Sequence, residues 1–97
     1  MRRLSLHRDV LKEVDEAAQF YERRVPLLGA RFAKAVRAGL DAIAEHPDRH
    51  PIFYEDARRY LIKDFPYRIV YRAASDGIRV LAVAHTHRHP AYRAKRK

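Results

Sequence analysis

Residues 65–88, FPYRIVYRAASDGIRVLAVAHTHR, constrain the fold more than any other stretch of the chain. Tyr67, Ile69, Val70 and Tyr71 before the middle of this segment, and Ile78, Val80 and Val83 after it, are β-branched or aromatic side chains that suit a pleated, half-buried surface. Ser75-Asp76-Gly77 between them tolerates the positive φ of a tight reversal. The pattern predicts an antiparallel hairpin. By two-residue alternation Tyr67, Ile69, Tyr71 and Ala73 share one face of its first strand, and Arg68, Val70 and Arg72 share the other. One face is therefore core and the other basic. The second strand is apolar on both faces, Ile78, Val80, Ala82 and Ala84 against Leu81 and Val83, which suits an interior strand.

The rest of the chain supplies the flanking elements. Leu4 and Leu6 alternate with polar residues as a short first strand. From Arg8 the period changes: Val10, Val14, Ala17 and Tyr21 follow helical spacing, with Lys12, Asp15, Glu16 and Glu22 turned outward. Val25-Pro26 ends this helix, because proline disfavours helical geometry in the residue before it. A second helix over 27–45 has Leu28, Phe32, Val36, Leu40 and Ile43 as its apolar stripe, with Ala35 and Gly39 allowing close approach to a neighbour, and stops before Pro47. Residues 52–54 and 59–63 read as two more strands. The order β-α-α-β-β-β-β, helices early and strands late, implies an α+β fold with a helical hairpin on one face of a small, mainly antiparallel sheet. The opposite face then carries Arg59, Leu61, Lys63, Arg68, Val70 and Arg72. A single domain over 1–92 is expected, followed by a disordered basic tail over 93–97.

Charge narrows the partners. The formal net charge is +9, and residues 49–97 carry twelve Lys/Arg against four acids, whereas residues 1–48 carry nine against eight. Such a field attracts polyanions or acidic proteins. The chain has no cysteine, Met1 is followed by charged residues, and no apolar run reaches the roughly 20 residues of a membrane span. A cytoplasmic protein without disulfides, thiolate metal sites or membrane contact is expected.

The order of elements, Tyr67-Arg68-Ile69-Val70-Tyr71, the Asp76-Gly77 turn, and Val80 to Arg88 followed by Tyr92 together resemble the RelE/ParE family of type II toxin–antitoxin toxins. The resemblance runs from the first strand to Tyr92. It implies a toxin of the plasmid-stabilisation (addiction) type that arrests growth and is neutralised by a cognate antitoxin wrapped around it. RelE-like members cleave messenger RNA on the ribosome; ParE-like members act on DNA gyrase. RNA cleavage needs a proton acceptor, a proton donor and cations around the phosphorane. RelE-like enzymes place two lysines before the arginine of the PYR segment, a further arginine after the last strand, and a terminal tyrosine. Here Arg68 and Tyr92 match, but the lysine positions fall on Arg59 and Leu61, and the later basic position falls near Thr86, with Arg88 two residues on. Arginine does not exchange protons at neutral pH and leucine has none to exchange. The departure favours the ParE-like branch, a gyrase-binding inhibitor with no catalytic set.

The candidate residues for contact with target or antitoxin are Arg59, Lys63, Arg68, Arg72, His85, His87, Arg88 and Tyr92. As a ribonuclease the chain would instead use Arg68, Arg88, Tyr92, His85 and His87 on the ribosome. A third possibility is a non-toxic member that only binds antitoxin. His85, His87 and His89 would share a face if extended, but no carboxylate or cysteine lies near them and Pro90 ends the run, so no metal or other cofactor is expected there. Tyr54, Tyr60, Tyr67 and Tyr71 read as core and sheet residues rather than a base-stacking platform.

Overall fold

The structure is a computed structural model that describes residues 3–97. Its elements are β1 (Leu4–Leu6), α1 (Val10–Arg24), α2 (Leu28–Glu45), β2 (Ile52–Tyr54), β3 (Ala57–Leu61), β4 (Tyr67–Ala74) and β5 (Gly77–His85). The five strands form one sheet in the order β1-β5-β4-β3-β2. The α+β order read from the sequence is the observed one. Three pairings are antiparallel, and β1 joins β5 in parallel, Leu4 opposite Ile78 and Leu6 opposite Val80. β5 is thus interior along its first half, as its two apolar faces require. The hairpin turn is tied to β1: Ile78 N–H donates to the Arg3 carbonyl at 2.8 Å, and a Cβ on Gly77 would stand 2.9 Å from that oxygen.

Both helices cover one face of the sheet. Val10 and Ala17 of α1 and Phe32, Val36 and Ile43 of α2 bury against Ile69, Tyr71, Ile78, Val80 and Val83. Two glycines set the helical distances. A methyl on Gly29 would clash with the Ala18 carbonyl of α1, and one on Gly39 would stand 2.7 Å from the Tyr60 ring and 2.9 Å from Ile69 Cδ1. Gly39 therefore serves the approach of α2 to the sheet, and Gly29 the approach of the two helices to each other. Val25 adopts the extended geometry (φ −140°, ψ 125°) that the following proline favours, and α1 stops there. Tyr71 O–H donates to the Pro47 carbonyl at 2.6 Å, fixing the α2–β2 connection to the core; burial pushes its phenol up to about 12.

Three sequence readings need correction. First, β5 does not alternate regularly. Tyr71 pairs with Val80 and Val70 with Ala82, so Leu81 is a bulge residue. The extra residue resets the phase: Ile78, Val80 and Val83 face the helices, while Leu81 and Ala82 join Ala57 and Val70 on the far side. Second, β3 is 57–61, two residues earlier than expected, and Ile62 beyond it is buried in the helix-side core. Lys63 therefore stands exposed in the β3–β4 turn and not on the sheet face. Third, the basic tail expected to be disordered is docked: Ala94 is fully buried, and Arg93 and Arg96 are ion-paired.

Candidate functional site

Among the described residues no strand lies beside the outer edge of β5 beyond Leu6, so its backbone groups there need other partners. Glu13, one turn into α1, supplies one: its Oε1 accepts the Val83 N–H at 3.0 Å. Its Oε2 pairs with Arg93 and, at 2.6 Å, with Arg96. Arg96 also donates to the Leu81 carbonyl at 3.1 Å. One carboxylate, its side chain only 9% exposed, therefore joins α1, the bulged stretch of β5 and the C-terminal tail. Buried charge is tolerable here because two guanidinium groups and a backbone N–H satisfy it.

This clamp orders one wall of an open cleft of about 940 Å³ between α1 and the end of β5. Two guanidinium groups lie over the Tyr92 ring, Arg88 at 4.8 Å and Arg93 at 4.6 Å from its centroid, both within the range of a cation–π contact. His85 packs edge-on against Tyr67 at 5.2 Å and against His87 at 4.6 Å. His85 titrates below its ordinary range, chiefly because it is desolvated and also because His87, Arg88 and Arg68 repel its proton. Its Nδ1 accepts the His87 N–H at 3.0 Å, and the Nδ1 of His89 accepts the Ala91 N–H at 3.0 Å. These nitrogens shape the local backbone. Among the described residues, no group of three or more His, Asp or Glu side chains is placed to hold a metal ion. The opposite wall of the cleft brings Glu16, Phe20 and Arg23 of α1 to the same opening.

The remaining candidates lie elsewhere. Arg68 is on the sheet face away from the helices, where it donates to the Thr86 carbonyl at 2.7 Å and sits 5.1 Å from the Phe53 ring. Burial, with repulsion from Arg59, lowers its affinity for its proton, and its buried Nε has no hydrogen-bond partner among the described residues. Arg72 is committed to Asp56 at 2.7 Å and to the Arg96 carbonyl at 2.9 Å. Arg59 is half-buried opposite Val70, and Leu61, opposite Arg68, is 54% exposed. The single basic surface expected from the sequence is thus divided: His85, His87, Arg88 and Tyr92 converge on the cleft beside α1, Arg59, Arg68 and Arg72 share the far face, Arg72 held there by Asp56 and the tail, and Lys63 belongs to neither group. Sequence reasoning missed Glu13, Arg93 and Arg96. The signal available for Glu13 was an acid at an inward helical position, between Val10 and Ala17; its partners lie 80 and 83 residues away.

Comparison with known proteins agrees with this architecture. Residues 4–90 match the family described as the ParE toxin of the type II toxin–antitoxin system parDE. A solved structure titled as the chromosomal ParDE toxin–antitoxin system from P. aeruginosa superposes with a TM-score of 0.77 at 13% identity, over 88% of this chain and 96% of that one. At that identity the likeness speaks for the fold. No functionally curated protein matches the sequence.

Proposed function

The chain belongs to the ParE toxin family of type II toxin–antitoxin systems, and from that premise we propose that it arrests growth by binding DNA gyrase and is neutralised by a cognate antitoxin. The observation that carries the reading is the far face of the sheet. Where an RNA-cleaving relative would need lysines, it presents Arg59 and Leu61, and Arg68 beside them is engaged with the Thr86 carbonyl. A guanidinium holds its proton at neutral pH and an alkyl chain carries none, so the face suits recognition better than proton transfer.

The antitoxin surface follows from the same face. On that face Leu61 is 54% exposed, Arg59 stands two residues before it on β3, and the half-buried Phe53 of β2 lies beside Arg68. β2, three residues long, is an outer strand of the sheet. An amphipathic, partly acidic segment would cover this apolar area and match the arginines. Purified protein is expected to inhibit supercoiling by gyrase or to trap cleaved DNA; normal supercoiling at toxin excess would reject the target. Failure to form a complex with the product of an adjacent small open reading frame would reject the neutralisation partner.

One observation favours ribosome-dependent cleavage: His85, His87, Arg88 and Tyr92 share a cleft, and His85 is biased toward its neutral, proton-accepting form. Arg68 opposes that reading, because its guanidinium is bonded on the other face of the sheet. Codon-phased cleavage of messenger RNA in a translating extract would establish the alternative, and intact transcripts would remove it.

A further inference from the structure

The connection between α1 and α2 has features that its length does not require. Only Val25, Pro26 and Leu27 separate the helices, and both large side chains point to solvent: Val25 is 51% exposed and Leu27 is 71% exposed. Leu27 also has φ 72° and ψ −3°, the left-handed conformation that a γ-branched residue rarely adopts and that glycine or asparagine would occupy without cost. The conformation is held from below. Both oxygens of the Glu22 carboxylate are occupied, Oε2 by the Leu27 N–H at 2.8 Å and Oε1 by the Gly29 N–H at 3.0 Å. An unfavourable backbone geometry is thus locked in place at the most exposed leucine of the chain's exposed apolar set. The backbone at Leu27 closes the turn and opens α2, accepting the Arg31 N–H at 3.1 Å, but the turn needs no leucine there, and the side chain joins neither core cluster. Strain of this kind persists where function uses it.

The surroundings indicate what would receive the tip. Arg23, Arg24 and Arg31 are exposed around it, and Arg24 is further stiffened by lying 3.8 Å from the Phe20 ring centroid. Glu22, the acid nearest in sequence, has both oxygens engaged by backbone N–H groups. We infer that the α1–α2 tip is the target-engaging knob of this toxin, with Val25 and Leu27 inserting into an apolar pocket on the target protein whose rim carries carboxylates. The inference deepens the reading of the chain as a toxin that acts by binding, and separates the surface that meets the target from the sheet face that meets the antitoxin. Arginine is enriched among the residues that dominate protein interfaces, and an anchor already fixed in its bound conformation loses little entropy on docking.

The test uses the full chain carrying Leu27→Asn together with Val25→Ser, and separately Leu27→Gly. Asparagine and glycine both accept the left-handed backbone, so each variant is expected to melt within a few degrees of the parent, checked by circular dichroism. Expressed inducibly, the parent is expected to arrest growth and the double variant to require about tenfold or more protein for the same arrest. Purified protein should lose inhibition of gyrase in the same proportion. Equal arrest by parent and folded variants would overturn the inference, as would a parent that arrests nothing. So would a dimeric parent that becomes monomeric on substitution, which would assign the tip to self-association, or a double variant that no longer binds antitoxin. If the parent arrests growth yet leaves gyrase unaffected, the gyrase assignment fails, and the growth assay alone decides the role of the tip.

Discussion

On the helix side of the sheet, Ile69, Tyr71, Ile78, Val80 and Val83 meet Phe32, Val36 and Ile43, with Tyr21, Phe65 and Tyr67 completing an aromatic cluster around Phe32 at centroid distances of 5.0 to 5.4 Å. On the other side the buried set is Ala57, Val70, Leu81, Ala82 and Ala94, three of them alanines. The first face is held by volume. The second is closed by arginines bonded to backbone carbonyls: Arg68 to Thr86, Arg72 to Arg96, and Arg96 to Leu81. A basic residue on a strand is therefore not by itself a free binding group. Here much of the cationic character holds the chain's own C-terminus and loops in place, and what is left over at Arg59, Arg88 and the helical tip is what a partner can meet.

Substitutions on the two sides should separate these modes. Phe32→Ala removes the centre of the aromatic cluster and is expected to cost about 3–5 kcal/mol, read from chemical denaturation. Glu13→Ala leaves two guanidinium groups and the Val83 N–H without their acceptor. Its expected cost is about 2–3 kcal/mol, below that of a fully enclosed pair because Arg93 and Arg96 still reach solvent. A loss under half that figure would mean the clamp is incidental. Tyr71→Phe deletes only the buried bond to the Pro47 carbonyl and is expected to cost about 1 kcal/mol.

The smallest effect concerns pH. His50 titrates below its ordinary range, mainly through burial and then through Arg49, His46 and Arg58, and its buried Nε2 has no hydrogen-bond partner among the described residues. The unfolded chain then binds a proton more readily than the folded one. The contribution of neutral His50 is full above the unfolded histidine pKa and is lost as pH falls through the lowered folded value. His85 has the same sign. Both histidines predict a melting temperature that declines on acidification from neutral pH, and His50→Gln should flatten that decline. An unchanged slope would show that other groups set it.

How legible these features were in the sequence depended on the range of the interaction. The hairpin, the helical stripes and the element order were readable because each rests on residue type within a short window. The bulge at Leu81 was not, since Val80, Leu81, Ala82 and Val83 are all apolar and carry no mark of which side each faces. Arg68 and Arg72 looked equivalent by alternation, yet their fates are set by Thr86, Asp56 and Arg96, which the fold brings from elsewhere. The tail read as disordered because its composition is basic and its acidic partners, Glu13 and Asp9, lie at the far end of the chain. Of the candidate site, the cluster of His85, His87, Arg88 and Tyr92 was legible as residues but not as a cleft, because the opposing wall comes from α1. None of the helices among the described residues is long and apolar enough to cross a membrane, in keeping with the absence of an apolar run.

The central physical claim is that the C-terminal tail, through Glu13, holds the bulged end of β5 and with it the Arg88–Tyr92–Arg93 stack. Amide hydrogen exchange at Val83 tests this most directly, in the full chain and in the Arg93→Ala/Arg96→Ala variant, which leaves Glu13 without its cations. Exchange at Val83 is expected to quicken by about tenfold or more, while amides of the β4–β5 ladder near Ile69 and Val80 keep their protection. Equal protection at Val83 in the two proteins would contradict the claim.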